Sequence, residues 1–320
     1  MARRLTLALL LACVSTALFA ASAPGDAQPR PQPPTSDHVQ RATERFLHSV
    51  DGRAARSGGT GGTGQGQGRD DSLFPEKRVV AFYGAPQMGA TIVGRKSVRA
   101  AKRRLRQQAR PYEDQGPVLR GFDLVAVIAT ADKGPGGKYR DRQSAGVIEE
   151  YYAAARALGG RLILDIQPGR STFIREVRAL EEWVARPEVD VALDPEWNVG
   201  REGVPGRTVG SVGAKTINRV SGYMDHLCKQ ENLPQKALVI HQFRQGSVRQ
   251  RNRVEQRDKV DVTLNFDGIG SRAAKVHGYE RLTREELFTG FSLFYRLDSG
   301  LMSPGQVLGL EPPPDFVLYQ

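Results

Sequence analysis

The chain is short of the residues that build reactive or cross-linked centres. Of its 320 residues only two are cysteine and five histidine. One of the cysteines, Cys13, falls in an N-terminal apolar segment, so the remainder of the chain holds Cys228 alone and no internal disulfide. Cys228 lies on the apolar side of an expected helix, as a small buried hydrophobe. No Cys/His cluster has zinc spacing, and His-x-His and His-Glu-x-x-His patterns are absent. Gly84-Ala85-Pro86-Gln87-Met88-Gly89 after the first apolar run lacks the spacing of a dinucleotide-binding turn. Aromatics are 7% of residues and do not interleave with the basic ones, which argues against nucleic acid as a partner.

What is abundant is arginine and lysine. The formal net charge is +11, spread over Lys102, Arg103, Arg104 and Arg106 on one expected helix and Arg244, Arg249, Arg251, Arg253 and Arg257 in one loop. Such a balance suits an anionic envelope polymer or polyanionic glycan, or simply covers solvated faces. Arg3 and Arg4, the apolar stretch from Leu5, and small residues near Ala21-Ser22-Ala23 read as a secretory signal over residues 1–23. Pro24 hinders cleavage at that site, and Leu10-Leu11-Ala12-Cys13 resembles a lipidation box; a membrane contact is expected only through an uncleaved or lipidated N-terminus. Residues 24–72 are a proline- and glycine-rich linker with room for a short amphipathic helix between Ser36 and Val50. The folded domain is expected over 73–320, as a monomer outside the cytoplasm.

Within that domain short apolar runs alternate with helical patterns. Strands are expected at Arg78–Tyr83, Phe122–Ala131, Arg161–Ile166, Val189–Leu193, Ala237–His241, Val260–Phe266, Phe291–Phe294 and Phe316–Tyr319. Helices are expected near Ser97–Arg110, at Gln143–Leu158 (stripe Val147, Tyr151, Ala155, Leu158), from Ser171 through Val184, and through Ile217, Val220, Met224 and Leu227. Seven or eight such units in about 250 residues point to a (β/α)8 barrel of the TIM type. The rivals are a seven-stranded barrel and an open doubly wound sheet.

A barrel turns the residues at strand C-termini into a mouth. Tyr83, Asp132, Asp165, Gln167, Asp194, Glu196, His241, Gln242, Asn265, Asp267, Tyr295 and Asp298 all stand at or after such ends. Leu193-Asp194-Pro195-Glu196-Trp197 is the most pointed of these segments: two carboxylates two residues apart share a face, and Trp197 offers a flat apolar surface for a sugar ring. Glu196 reads as general acid, Asp194 as stabiliser of developing positive charge, and Asp267 or Asp165 as second carboxylate, nucleophile or base. Carboxyls about 5 Å apart would imply retention, and more than about 6.5 Å inversion. Tyr83, Gln167, His241, Gln242 and Trp197 read as sugar-binding groups. No cofactor is needed for that chemistry. The alternatives are a divalent metal ion held by Asp165, Asp194, Glu196, His241 and Asp267, serving a phosphoester or acyl hydrolase, and a non-catalytic glycan-binding barrel. Two loops could contact anions: Asp132–Arg140, through Lys133, Lys138 and Arg140, and Gly169-Arg170-Ser171-Thr172, at a helix start.

From Leu162 onward the chain resembles a family of secreted (β/α)-barrel proteins of high-GC Gram-positive bacteria. The shared elements are Leu164-Asp165-Ile166-Gln167-Pro168-Gly169, Leu193-Asp194-Pro195-Glu196-Trp197, Val204-Pro205-Gly206, Ile240-His241-Gln242-Phe243, Phe266-Asp267-Gly268 and Gly290-Phe291-Ser292-Leu293-Phe294-Tyr295. This resemblance implies fold and export rather than one chemistry. More distantly, Asp194-x-Glu196 resembles the acid-bearing strand end of chitinase- and muramidase-type glycoside hydrolases, which implies a proton donor at Glu196 assisted by Asp194. The longer chitinase motif is absent, Asp190 being its only upstream acid and at another spacing.

Overall fold

The computed structural model describes residues 73–320. The expected signal, linker and short helix lie outside them. Eight parallel strands carry the domain: β1 (Arg78–Gly84), β2 (Val118–Ala129), β3 (Arg161–Ile166), β4 (Val189–Leu193), β5 (Lys236–Gln242), β6 (Val260–Phe266), β7 (Phe288–Leu293) and β8 (Phe316–Tyr319). Each pairs with the next in parallel register, and β1 pairs with both β2 and β8. That last pairing closes the sheet and excludes the open doubly wound alternative. The strands are almost wholly buried, as expected where helices cover one face of the sheet and side chains fill the other.

The principal helices are α1 (Val98–Ala109), α2 (Ala145–Arg156), α3 (Phe173–Arg178), α4 (Ala214–Gln230), α5 (Arg272–Leu282) and α6 (Pro304–Leu308). Serine side chains cap α1, α2, α5 and α6 by accepting a backbone N–H of the first turn. In α4 Ile217, Val220, Met224, Leu227 and Cys228 face the barrel, so Cys228 is the buried hydrophobe expected. Tyr151, Ala155 and Leu158 of the expected α2 stripe are buried, joined by Ile148 and Tyr152, and Val147 is partly buried. The run expected as one helix up to Val184 breaks at Ala179–Leu180 into α3 and a second turn, Glu181–Val184. No α-helix covers the β5–β6 step among the described residues, only 3-10 turns at Gln245–Ser247 and Arg251–Arg253. The arginine-rich segment 243–259 runs beside α4 instead, with Asn218, Ser221 and Asp225 bonding to Arg253, Glu255, Arg257 and Lys259. No described helix is long and apolar enough to cross a membrane.

The two ends of the barrel divide the ionisable groups. At the N-terminal end Arg161 forms a bidentate pair with Asp190 (2.7 and 2.5 Å), which also accepts the Ala237 N–H at 2.8 Å. The Lys236 ammonium beside them is fully buried and donates to the carbonyls of Arg186 and Val189. Burial lowers its pKa to about 8, partly offset by Asp190. This end is charge-matched and bonded. The opposite end is not, as described below.

One glycine makes room for the mouth. A Cβ on Gly290 of β7 would stand 2.5 Å from Asn265 Oδ1 and 3.0 Å from its Cβ on β6. Asn265 is buried and immobile there, so the neighbour cannot yield cheaply. Gly290→Ala is expected to cost about 1–3 kcal/mol through overpacking, read as a lower guanidinium midpoint at unchanged slope. An unchanged midpoint would show that Asn265 can move aside.

Candidate functional site

The C-terminal ends of five strands and the middle of β2 bring one set of polar side chains together. Tyr83 extends inward from β1, Asp123 from β2, Asp165 from β3, His241 from β5, Asn265 from β6 and Ser292 from β7. Asp194 and Glu196 follow β4, Gln167 follows β3 and Asp267 follows β6. Strand alternation explains the selection: Asp123 and Asp165 share parity with the inward row, and His241 sits in register with Asn265. A short turn, Pro195–Trp197, carries Glu196, and its carbonyl is held by the Gly210 N–H at 2.6 Å.

Two hydrogen-bonded chains fix the walls. On one side Gln167 accepts the Ala129 N–H at 3.2 Å and donates to the Tyr83 hydroxyl (3.1 Å) and to Asp194 Oδ2 (3.2 Å). On the other, His241 Nδ1 lies 2.5 Å from Asp267 Oδ2. Asp267 Oδ1 in turn accepts from Asn265 Nδ2 at 2.6 Å and from the Ser292 hydroxyl. A carboxylate on Nδ1 places the ring proton there and leaves Nε2 facing the cavity. The Tyr83 and His241 rings meet edge to face at 6.0 Å.

The centre is different. Both carboxyl oxygens of Asp123 and of Asp165, and Nε2 of His241, have no hydrogen-bond partner. His241 Nε2 stands 3.7 Å from Asp123 Oδ2, beyond hydrogen-bond length. Asp123 and Asp165 are fully buried. Burying such groups unpaired costs about 1–3 kcal/mol each, and more when charged.

Electrostatics follow from this crowding. Burial, then Asp194, pushes the Asp165 carboxyl well above the ordinary range. Burial raises Asp123 too, against the pull of His241. Asp194 is pushed up to about 7 by burial, with His241 opposing and Asp267 adding. Burial first, then the charges of Asp194 and Asp267, holds Glu196 well above its usual value. Burial works against the imidazolium of His241, but Asp267 and Asp123 outweigh it and hold its pKa well above normal. Glu196 is half-buried, the most accessible of these carboxyls, whereas Asp165 and Asp194 are buried.

Several sequence-based expectations need revision. Trp197 is only 7% exposed, so its ring packs into the protein and offers little face for a sugar. Asp267 spends its oxygens on His241, Asn265 and Ser292, which fits a positioning carboxylate rather than a nucleophile. Gln242 alternates away from His241, and its amide reaches only the Arg244 carbonyl at 3.4 Å. Asp132 is exposed, Asp298 pairs with Lys275 at 2.6 Å, and Tyr295 donates to Gln108. None of those three joins the cluster.

The loop expected as an anion contact is tied down. Arg140 and Arg142 pair with Glu176 (3.1 and 2.8 Å), and the Arg170 guanidinium stacks over the Tyr139 ring at 4.2 Å. Gly169, at φ +59°, allows the close approach: a Cβ there would be 2.5 Å from the carbonyls of Lys138 and Tyr139. The start of α3 holds no vacant anion slot either. Glu176 of the same helix fills it, bonded to Ser171 and the two arginines, which lower its pKa against the effect of burial.

Asp123 escaped the sequence reading. It sits inside the apolar run Phe122–Ala131, whose composition is that of a strand buried on both faces. The signal was present: one carboxylate within Phe122-Asp123-Leu124-Val125 has no cheap explanation in a core. Ser292 was masked in the same way by Phe291 and Leu293.

No protein-family model matches the chain, and no curated protein does. Among solved structures it is similar to a noncanonic maltogenic α-amylase, AmyB, from Thermotoga neapolitana. The identity is 10%, the match covers 70% of this chain and 60% of that one, and the TM-score is 0.29. The chain thus spans less than two thirds of that enzyme's length, and a likeness at this score carries no argument about chemistry.

The raised carboxyls have a consequence for stability. A group whose folded pKa exceeds its unfolded value favours folding at low pH, and the gain is lost as pH rises through the folded pKa. For Asp194 that window runs from about 4 to about 7. In chelator-treated protein Asp194→Asn, which keeps an acceptor for Gln167, is expected to be about 1–4 kcal/mol more stable than the parent at pH 8 and no more stable at pH 4. Guanidinium titrations at the two pH values check this. Equal stability at both would mean that the mouth does not strain the Asp194 charge.

Proposed function

We propose that the mouth hydrolyses a glycosidic bond, with Glu196 as the proton donor. The observation that carries this reading is the state of Glu196. It is partly open to solvent, as a donor to a leaving group must be, yet burial and its carboxylate neighbours keep it protonated beyond the ordinary range. Asp194, two residues earlier and steadied by Gln167, lies where it can stabilise positive charge growing at an anomeric carbon. Asp165 is the second carboxylate. Its oxygens are unpartnered, unlike those of Asp267, so once ionised it can take a proton from water or attack. Tyr83, Gln167 and His241 belong to the same cluster and supply hydroxyl, amide and imidazole groups for sugar hydroxyls.

The substrate in this proposal is a polysaccharide of the cell envelope or surroundings, met by an exported, monomeric domain on an N-terminal tether. The basic surface favours an anionic polymer. Around Gln245, Arg249 and Arg251 a pocket of about 560 Å³ is lined also by Arg284. Burial and the neighbouring Arg284 and Arg281 charges lower the Arg251 pKa, so an anion there would relieve repulsion.

Glu196→Gln is isosteric with the protonated acid and should fold as the parent does. Its expected effect is loss of at least about 100-fold in kcat/KM on glycan substrates at an unchanged melting temperature. In the parent, activity should fall on the alkaline side as Glu196 ionises, at a pH above that of an ordinary carboxyl. Full activity in Glu196→Gln would remove the assignment. Glycan binding without turnover by the parent, across a broad panel, would favour a non-catalytic barrel.

A further inference from the structure

The five unpartnered atoms at the centre of the mouth belong to three side chains on three strands: Asp123 on β2, Asp165 on β3 and His241 on β5. One potential ligand atom from each lies within 4.8 Å of the other two. Ligand atoms about 2.1 Å from a shared ion stand roughly 3.4–4.2 Å apart, depending on the angle between them. The 3.7 Å from His241 Nε2 to Asp123 Oδ2 falls inside that range, and an Asp165 oxygen lies within 4.8 Å of both.

The surrounding residues make this more than an acidic cluster. His241 Nδ1 is pinned by Asp267, which Asn265 and Ser292 hold in turn. That carboxylate–imidazole pairing sets the tautomer and aims the Nε2 lone pair at the two free carboxyls, the usual support behind a metal-bound histidine. Asp123 and Asp165 are fully buried and His241 nearly so. Once their protons are displaced, two aspartates and a neutral imidazole carry a charge of −2, which a divalent cation cancels.

We infer that Asp123, Asp165 and His241 Nε2 bind one divalent first-row transition-metal ion. Two carboxylate oxygens and one imidazole suit Zn²⁺ or Mn²⁺. A calcium cage would need six or more oxygens, and no thiolate is at hand, since Cys228 lies buried on α4. Three protein ligands leave at least one coordination position open to water or a substrate oxygen. Asp194 and Glu196 belong to the same mouth. With an ion in place, Asp165 acts as its ligand, and the water that Asp165 would otherwise deprotonate is activated on the metal. The site is inferred independently of glycosidic cleavage: an ion can bind whichever bond is broken, and Glu196 is tested by its own variant.

The test is metal binding by the full chain, purified without a histidine tag, stripped with chelator and dialysed against Zn²⁺ or Mn²⁺. About one equivalent should remain, and the melting temperature should rise with added ion. Asp123→Asn and Asp165→Asn should each weaken binding at least about 100-fold, Asp267→Asn by about 10–100-fold, and the exposed Asp132→Asn not at all. Near-UV circular dichroism of each stripped variant checks that it folds. Co²⁺ in the parent should give visible bands of an oxygen- and nitrogen-ligated centre, lost in Asp165→Asn. Binding no tighter than millimolar for Zn²⁺, Mn²⁺ and Co²⁺ would overturn the inference. So would a full equivalent retained in both Asp123→Asn and Asp165→Asn.

Discussion

Charge crowding at one end of the barrel shapes everything else about this molecule. Asp123, Asp165, Asp194, Glu196 and Asp267 converge on a single imidazole, His241, and no arginine or lysine pairs with any of them among the described residues. At the opposite end Arg161, Asp190 and Lys236 are paired and bonded, as stability alone would arrange them. The same sheet thus carries one end built to be satisfied and one left wanting protons or a cation. Parallel barrels place function at the C-terminal ends of their strands because only there do loops leave the cavity open. Here the electrostatics independently select that end.

The supporting residues show how the crowding is tolerated. Gln167 bridges β3, Tyr83 and Asp194, so the β4 turn carrying Glu196 is referenced to two other strands. Asn265 and Ser292 neutralise part of the burden by donating to Asp267, and Gly290 gives Asn265 its space. Away from the mouth, Glu176 gathers Ser171, Arg140 and Arg142 and stitches the β2–α2 loop to α3. These contacts hold each carboxyl in place while leaving Glu196 partly open and the centre unbonded.

Much of this was legible before any coordinates. The eight apolar runs carry a period and spacing that only a βα repeat satisfies, and six of the eight strands lie within two residues of expectation at both ends. Asp165, Asp194, Glu196, His241 and Asp267 stand at strand ends, where parity and position are readable. What the sequence could not express is partnership. Trp197 and Gln242 look like ligand-binding residues by type, but one packs inward and the other alternates out of the cavity. Asp267 resembles a nucleophile until its bonds to His241, Asn265 and Ser292 are seen. Asp123 lay hidden because an inward-facing residue in the middle of an apolar strand has no local mark of its neighbours. The break after α3 at Ala179–Leu180 has no proline or glycine to announce it.

The central claim is that the mouth gathers more negative charge than it can hold ionised, and that protons stay bound there unless a cation replaces them. Carboxyl-labelled ¹³C NMR titration of the chelator-treated protein tests it most directly. The account predicts that Glu196 and Asp165 titrate above the ordinary carboxylate range, with Asp194 titrating near 7. If all three ionise in the ordinary carboxylate range, the charge is not crowded and the account fails.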